Sequence, residues 1–271
     1  MPSFVPPDYY DLVQSFCEAR VHTGAGLAAV VGINAPQGAG KSTLVAHLLS
    51  RFEQQGLRAT GLSIDDFYLT NAEQRALAAA HPENPCLEHR GYPGTHDINL
   101  GETTLASLRA LSSGQKRRLP AYDKSAHGGR GDRAPIDRGR EVEGPLDLIL
   151  VEGWMLGFAP VPEAELSDPN LIEPNRRLAD YDRWHRLIDA MVILRPTDPR
   201  HVLRWRVEAE EAMKARGLPG LDRAAIEDYV RRFLPAYETW PPTLSRMDRW
   251  VGERRLEIWI DERRVRVIGG A

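Results

Sequence analysis

The sequence predicts an α/β fold built on a mostly parallel sheet, and three observations carry that expectation. Five short segments, Leu27–Asn34, Arg58–Ile64, Leu146–Val151, Ile188–Leu194 and Leu256–Ile260, read as strands, most of them dense in Val, Ile and Leu. Between them lie stretches with helical spacing of apolar residues. The first segment runs through a glycine-containing turn, Ala35-Pro36-Gln37-Gly38-Ala39-Gly40-Lys41-Ser42-Thr43, straight into one of those stretches. Buried strands that alternate with helices pair in parallel, because each crossover lays a helix on a face of the sheet.

Taken in order, residues 8–20 place Tyr9, Leu12, Val13 and Phe16 at helical intervals. Leu27–Asn34 is continuously small and apolar, as suits a strand covered on both faces. Residues 42–54 read as a helix that ends near Gly56, and Arg58–Ile64 as the second strand. Glu73–Ala80 and Gly101–Leu111 are helical. His81 to Gly144 is rich in Pro, Gly, Arg and His, and only its middle looks helical. A long irregular insertion in a compact fold marks function or disorder. After the third and fourth strands come helices at Pro199–Arg216 and Arg223–Phe233, then the last strand. The expectation is one domain over residues 1–271, with a five-stranded parallel sheet flanked by helices and an insertion at about 81–144.

The 271 residues are 42% hydrophobic and 27% charged, ordinary values for a soluble globular protein. A net charge of −3 provides no global field for nucleic acid or an anionic membrane, so neither is expected as a partner. Any anion must be held by a local cluster. Cys17 and Cys86 are too few for a disulfide framework, which points to a reducing compartment. The start, MPSFVPPDYYDLV, lacks the basic and apolar regions of a secretory signal, and Leu27–Ile33 is too short to span a bilayer. A cytoplasmic location is expected. Nothing in the sequence fixes the oligomeric state.

The turn at 35–43 matches the phosphate-loop (Walker A) pattern G-x-x-x-x-G-K-[ST], with Ala35 in place of the first glycine. Gly38 and Gly40 let backbone N–H groups close around phosphate oxygens, with Gln37, Ala39 and Thr43 completing the loop. Lys41 adds a mobile positive charge, Ser42 a hydroxyl for Mg²⁺, and the helix N-terminus a favourable dipole. A glycine-rich turn that resembles the motif by chance is the competing explanation. The strand before it and the helix after it argue against chance. The guanine-reading pattern N-K-x-D is absent, which disfavours a GTPase. The third strand ends in a single acid, Glu152, without the Asp-Glu pair of ATP-driven motors. A small-molecule kinase that uses ATP fits better.

In a doubly wound sheet the carboxyl ends of the strands face the ligand crevice. The second strand ends in Ser63-Ile64-Asp65-Asp66-Phe67-Tyr68. Asp65 there would take the proton of an acceptor hydroxyl or hold Mg²⁺ through water. Asp66 competes for that role, or caps the next helix. Glu152 would bind Mg²⁺ through water or fix the catalytic geometry, unless it is only a solvated strand end. Gln115 to Arg140 holds eight Lys or Arg against three Asp, a positive excess in an acidic chain. Lys124 and Arg133 are the candidates for an anionic acceptor, since arginine offers a planar fork for a carboxylate and lysine a point charge. Arg117, Arg118, Arg138 and Arg140 read as solvated surface. Asp97 would bond an acceptor hydroxyl or cap the helix that follows it, and His96 is either a polar contact or structural.

These motifs, in this order, resemble the D-glycerate 3-kinase family. That family lies within the wider phosphoribulokinase, uridine kinase and pantothenate kinase group of P-loop kinases. The matching residues run from Ala35-Pro36-Gln37-Gly38 and Lys41 to Ser63-Ile64-Asp65-Asp66-Phe67-Tyr68-Leu69-Thr70. They continue with Arg90-Gly91-Tyr92-Pro93-Gly94-Thr95-His96-Asp97, Pro120-Ala121-Tyr122-Asp123-Lys124-Ser125 and Gly131-Asp132-Arg133. Glu152-Gly153-Trp154, Gly157-Phe158, Trp205-Arg206 and Phe233-Leu234-Pro235-Ala236-Tyr237 close the series. The resemblance covers about residues 30 to 240, and alanine at position 35 is normal within it.

It implies a P-loop kinase fold and an ATP- and Mg²⁺-dependent transfer to a small hydroxy acid. Asp65 matches the catalytic carboxylate of the wider group, and Glu152 the acid near the metal. Asp66, Tyr68, Arg90, His96, Asp97, Tyr122, Lys124 and Arg133 fall on the acceptor side. The helix from Pro199, which carries Arg200, Arg204, Arg206 and Arg216, corresponds to the lid. Arg206 is the candidate to neutralise the transferring charge, unless it pairs with Glu210. A pantothenate-like acid or a nucleoside is the alternative acceptor, and an ATP-binding regulator with little turnover the alternative function.

Overall fold

The computed structural model describes residues 7–21, 26–215, 217 and 223–268. Its strands are β1 (Ala29–Asn34), β2 (Ala59–Ser63), β3 (Lys116–Arg118), β4 (Tyr122–Asp123), β5 (Asp132–Arg133), β6 (Glu141–Glu143), β7 (Leu148–Gly153), β8 (Ala190–Pro196) and β9 (Arg255–Ile260). The helices are α1 (Tyr9–Glu18), α2 (Lys41–Gln54), α3 (Asn71–Ala80), α4 (Pro85–Glu88), α5 (Ile98–Arg109), α6 (Ile172–Arg177), α7 (Asp182–His185), α8 (His201–Lys214), α9 (Arg223–Thr239) and α10 (Asp248–Val251).

Five strands form one sheet in the order β2-β7-β1-β8-β9, and every neighbouring pair is parallel. All six residues of β1 are buried, as its unbroken apolar run requires at the centre of a sheet covered on both faces. From β1 the order departs one way through β7 to β2 and the other way through β8 to β9. The carboxyl end of β1 is therefore the topological switch point, where open α/β sheets bind ligands. The register there is level. Ile33 lies opposite Glu152 and Asn34 opposite Gly153, while Ser63 lies opposite Glu152 on the other side. The loops after β1, β2 and β7 thus emerge side by side.

Most boundaries shift by one or two residues from the sequence reading, and three of the differences bear on the site. Helix α5 starts at Ile98, three residues early, because Asp97 caps it: Oδ1 accepts from Leu100 N–H at 2.9 Å. Strand β7 continues through Glu152, which is part of the strand and buried. Helix α9 passes through Pro235 to Thr239, although a proline reads as a stop. Tertiary packing holds it there: Ala236, Tyr237 and Trp240 are buried in the core, and Phe233 stacks on Tyr92 at 4.8 Å.

The insertion is more regular than its composition suggests. Beside α4 and α5 it holds two antiparallel pairs, β3 with β6 and β4 with β5. The β4–β5 pair sets Tyr122 opposite Arg133 and Asp123 opposite Asp132. Arg216 and the first six residues lie outside the described residues. Among the described residues, Cys17 and Cys86 are buried free thiols, and no helix is long and apolar enough to cross a membrane.

Candidate active site

The phosphate loop is built on backbone that only glycine adopts easily. Gly38 has φ 76° and Gly40 has φ 93°. Gly40 is the N-cap of α2, and no side chain caps that helix end. Its first N–H groups are left for a ligand, with the helix dipole favouring an anion. The loop is held from outside. Gln37 N–H donates to Tyr237 Oη at 3.1 Å, and Arg264 Nε donates to Gly38 O at 2.9 Å. The Arg264 guanidinium lies over Trp205 and its Nη1 pairs with Glu208 at 2.7 Å.

A β-carbon at Gly38 would stand 2.7 Å from Trp205 Cβ. Gly38→Ala is therefore expected to lower the unfolding midpoint by about 2–8 °C, from left-handed strain and this clash together. It should also weaken nucleotide binding at least about tenfold, since one contact worth a charge-assisted hydrogen bond is misplaced. Thermal unfolding and nucleotide titration of the same variant check both.

Lys41 folds back over the loop, its Nζ donating to Ala35 O at 2.9 Å and Pro36 O at 3.0 Å. Burial pushes its pKa down, against the pull of the Glu152 and Asp65 charges. Ser42 Oγ donates to Glu152 Oε1 at 3.0 Å. The level register of β1 and β7 brings those two oxygens together.

Asp65 follows β2 on the short 3-10 turn Ile64–Phe67, which is closed by a reciprocal cap. Ser63 Oγ accepts from Asp65 N–H at 3.3 Å, and Asp66 Oδ2 accepts from Ser63 N–H at 3.2 Å. That oxygen of Asp66 closes the turn. Burial, with help from Asp65 and Glu152, pushes its carboxyl up to about 6, against the Ser63 bond and the Lys124 charge. Asp65 Oδ2 is free of the cap and meets Lys124 Nζ at 2.6 Å. Burial would raise its pKa, but the charge and hydrogen bond of Lys124 outweigh that and hold it below the usual carboxylate range. Asp65 is therefore ionised at neutral pH and held against Lys124.

Around this pair stand the other acceptor-side residues. Tyr68 stacks on His96 at 4.4 Å and meets Tyr122 edge-on at 5.3 Å. Arg133 Nη2 donates to Asp97 Oδ2 at 3.1 Å and to Tyr68 O at 3.3 Å. Asp97 therefore caps α5 with one oxygen, as the sequence allowed, and orients Arg133 with the other. Arg90 braces the hairpin. Its Nη1 donates to the carbonyls of Gly129 and Arg130, its Nη2 reaches Lys124 O at 3.4 Å, and its guanidinium lies over Tyr122. Among the described residues His96 Nε2, Tyr122 Oη and Arg133 Nε are buried without a partner. Buried polar atoms are nearly always satisfied, so a polar ligand or water is expected to meet these three.

The structure thus brings together the phosphate loop, Asp65, Glu152, Lys124, His96, Tyr68, Tyr122, Arg133 and Asp97. Asp66 also closes the turn through one oxygen, and Arg90 braces the hairpin. Arg206 lies on α8, whose Trp205 backbone rests against Gly38, but its Nη2 is engaged with the buried carboxylate of Glu210, the i,i+4 partner. Trp205 is packing. Arg264 and Tyr181, which orient the loop and His96, were not singled out in the sequence; Arg264 stands 226 residues from the loop it holds, with no local signal.

The donor set at the loop is hydroxyl and carboxylate oxygen, which suits a hard divalent cation such as Mg²⁺. Among the described residues no group of three or more His, Cys, Asp or Glu is arranged to hold a metal. A cation at Ser42 and Glu152 would draw its remaining ligands from phosphate and water, as Mg²⁺ does.

Residues 30–161 match the Phosphoribulokinase / Uridine kinase family. The chain is 46% identical over 219 residues to "D-glycerate 3-kinase, chloroplastic" of Arabidopsis thaliana, covering 79% of this chain and 48% of that one. It therefore spans about half the length of that relative. It is 36% identical over 228 residues to "Uncharacterized kinase mug58" of Schizosaccharomyces pombe, covering 80% and 82% of the two chains. Among solved structures, a D-glycerate 3-kinase from Cryptococcus neoformans superposes with a TM-score of 0.87 at 31% identity, over 97% of this chain and 99% of that one.

Proposed function

The chain belongs to the phosphoribulokinase/uridine kinase family and to its D-glycerate 3-kinase branch, and from that premise we propose that it transfers the γ-phosphoryl group of ATP to a hydroxyl of D-glycerate, with Mg²⁺. The observation that supports this most is the 2.6 Å contact between Asp65 and Lys124. It joins a carboxylate beside the phosphate loop to the basic hairpin of the insertion, so base and anion-binding groups share one place.

On this reading the α2 N-terminus and the loop amides take the phosphates, and Lys41 exchanges its loop carbonyls for the transferring group. Ser42 and Glu152 would hold Mg²⁺, which would supply charge neutralisation for the transferring phosphate. Asp65 accepts the proton of the attacking hydroxyl. Arg133, oriented by Asp97, and Lys124 take the substrate carboxylate. Arg206 on α8 leaves Glu210 to neutralise charge as that helix closes as a lid. The whole chain acts as one kinase unit, with residues 81–144 forming the acceptor side. A reducing, cytoplasmic setting fits the two buried free thiols.

Arg133→Met is expected to raise KM for D-glycerate roughly ten- to a hundredfold, the range of one charge-assisted hydrogen bond. KM for ATP should change far less, and the preference for glycerate over glycerol should narrow. Steady-state kinetics with both acceptors, beside the unfolding midpoint, check this. A rise confined to KM for ATP would move Arg133 to the nucleotide side.

A further inference from the structure

The segment after Gly91 and the 3-10 turn Leu178–Tyr181 together fix where one imidazole proton sits. Gly94 N–H donates to Tyr181 Oη at 3.2 Å, and the same oxygen lies 2.7 Å from His96 Nδ1. Both rings are buried. Suppose Nδ1 carried the proton. The phenol oxygen would then accept twice, its own O–H would have no acceptor among the described residues, and Nε2 would present a bare lone pair on the side of the Asp65 charge. With the phenol O–H donating to Nδ1 instead, each of these groups is satisfied except one. The proton is on Nε2, and Nε2–H is a buried donor without a partner.

Its surroundings show what it faces. The imidazole stacks on Tyr68 and meets Trp184 edge-on, and Nε2, across the ring from the nitrogen at Tyr181, has no protein partner among the described residues. Asp65 is near enough for its charge to act on the ring, and burial keeps the ring neutral, its pKa pushed down to about 4. Asp65 is ionised and can only accept a hydrogen bond; His96 Nε2–H can only donate one.

We propose that Tyr181 holds His96 as a donor-only reader of the acceptor, so that His96 and Asp65 bracket one hydroxyl, which donates to Asp65 and accepts from His96 Nε2–H. The inference rests on the kinase reading above and says which end of a hydroxy acid goes where. A carboxylate is refused at this position, because it has no proton for Asp65 and repels it. The substrate carboxylate is sent to Arg133 and Lys124. His96 is a substrate contact in this scheme and Tyr181 a positioning residue that acts through it.

The test reads the proton directly. Long-range ¹H–¹⁵N correlation on the full chain with ¹⁵N-histidine, assigned by comparison with His96→Phe, is expected to show the Nε2–H form at neutral pH. Tyr181→Phe should convert it partly or wholly to Nδ1–H. With a non-hydrolysable ATP analogue present, D-glycerate and 3-hydroxypropionate should shift the Nε2 resonance, whereas lactate, which lacks the 3-hydroxyl, should not. In kinetics, His96→Phe is expected to raise KM for D-glycerate about ten- to a hundredfold with KM for ATP nearly constant, and His96→Gln, which places an N–H near the same point, to recover part of the loss. An Nδ1–H ring in the unmodified protein overturns the proposal, and so does an Nε2 resonance that D-glycerate leaves unmoved while the enzyme phosphorylates it. An Nε2–H ring in a protein that transfers no phosphate to glycerate supports the relay and overturns the choice of acceptor instead.

Discussion

Replacing Lys41 by alanine is expected to cut kcat by about 10³-fold or more while the fold stays intact. The magnitude follows from removing a charge placed where the transferring phosphoryl group develops its own, in a site with little water to compensate. The structure adds the second half of the expectation. The Lys41 ammonium is buried against the carbonyls of Ala35 and Pro36, and burial already disfavours its charge. Removing it lifts that desolvation cost, so the unfolding midpoint should hold or rise slightly. Initial rates of ADP formation and a thermal melt on the same preparation check the two halves. Activity within a few-fold of the unmodified protein would remove the phosphate-loop lysine from the chemistry.

The second large effect is at Asp65. Asp65→Asn keeps size and hydrogen bonding and removes basicity, so kcat should fall about 10²-fold or more, the range for a positioned general base. ATP affinity should change much less, because the loop binds phosphates separately. The turn itself should survive, since its cap uses the Asp65 backbone N–H and the Asp66 carboxylate, not the Asp65 side chain. Asp66→Asn is the natural contrast. It weakens the capping box, for about 1 kcal/mol of stability, with a smaller effect on kcat. Rates and melts for the pair separate a base from a cap. If Asp66→Asn loses turnover and Asp65→Asn does not, the roles are exchanged.

Much of this was legible in the sequence, for reasons particular residues explain. The β1 run and the phosphate loop are local signals: an unbroken apolar segment, two glycines and a lysine whose spacing has one physical use. Asp65 and Glu152 were legible because strand ends converge on one edge of a parallel sheet, and register then made Glu152 a neighbour of Ser42. Asp97 could be read as the cap of α5, but its ion pair with Arg133, 36 residues away, could not. The Lys124–Asp65 pair, the Arg264 hold on Gly38 and the Tyr181 relay to His96 join residues 59 to 226 positions apart. No periodicity or motif encodes such contacts; they arise only once the insertion and the segment after β9 have packed against the sheet edge. Helix α9 runs past its sequence reading because burial of the turn after Pro235 outweighs the local cost of that residue.

The central claim is that base, phosphate loop and basic hairpin meet to phosphorylate a small hydroxy acid, and one measurement tests it most directly. Purified protein with Mg·ATP is offered D-glycerate, glycerol, lactate, pantothenate and uridine, one at a time, and the phosphate is located on each product by ³¹P and ¹³C NMR. The account predicts phosphate on the 3-hydroxyl of D-glycerate, with kcat/KM for glycerate at least about tenfold above that for glycerol, which lacks the carboxylate that Arg133 and Lys124 hold. Faster transfer to uridine, pantothenate or a neutral polyol, or ATP binding with no transfer to any of them, would contradict it.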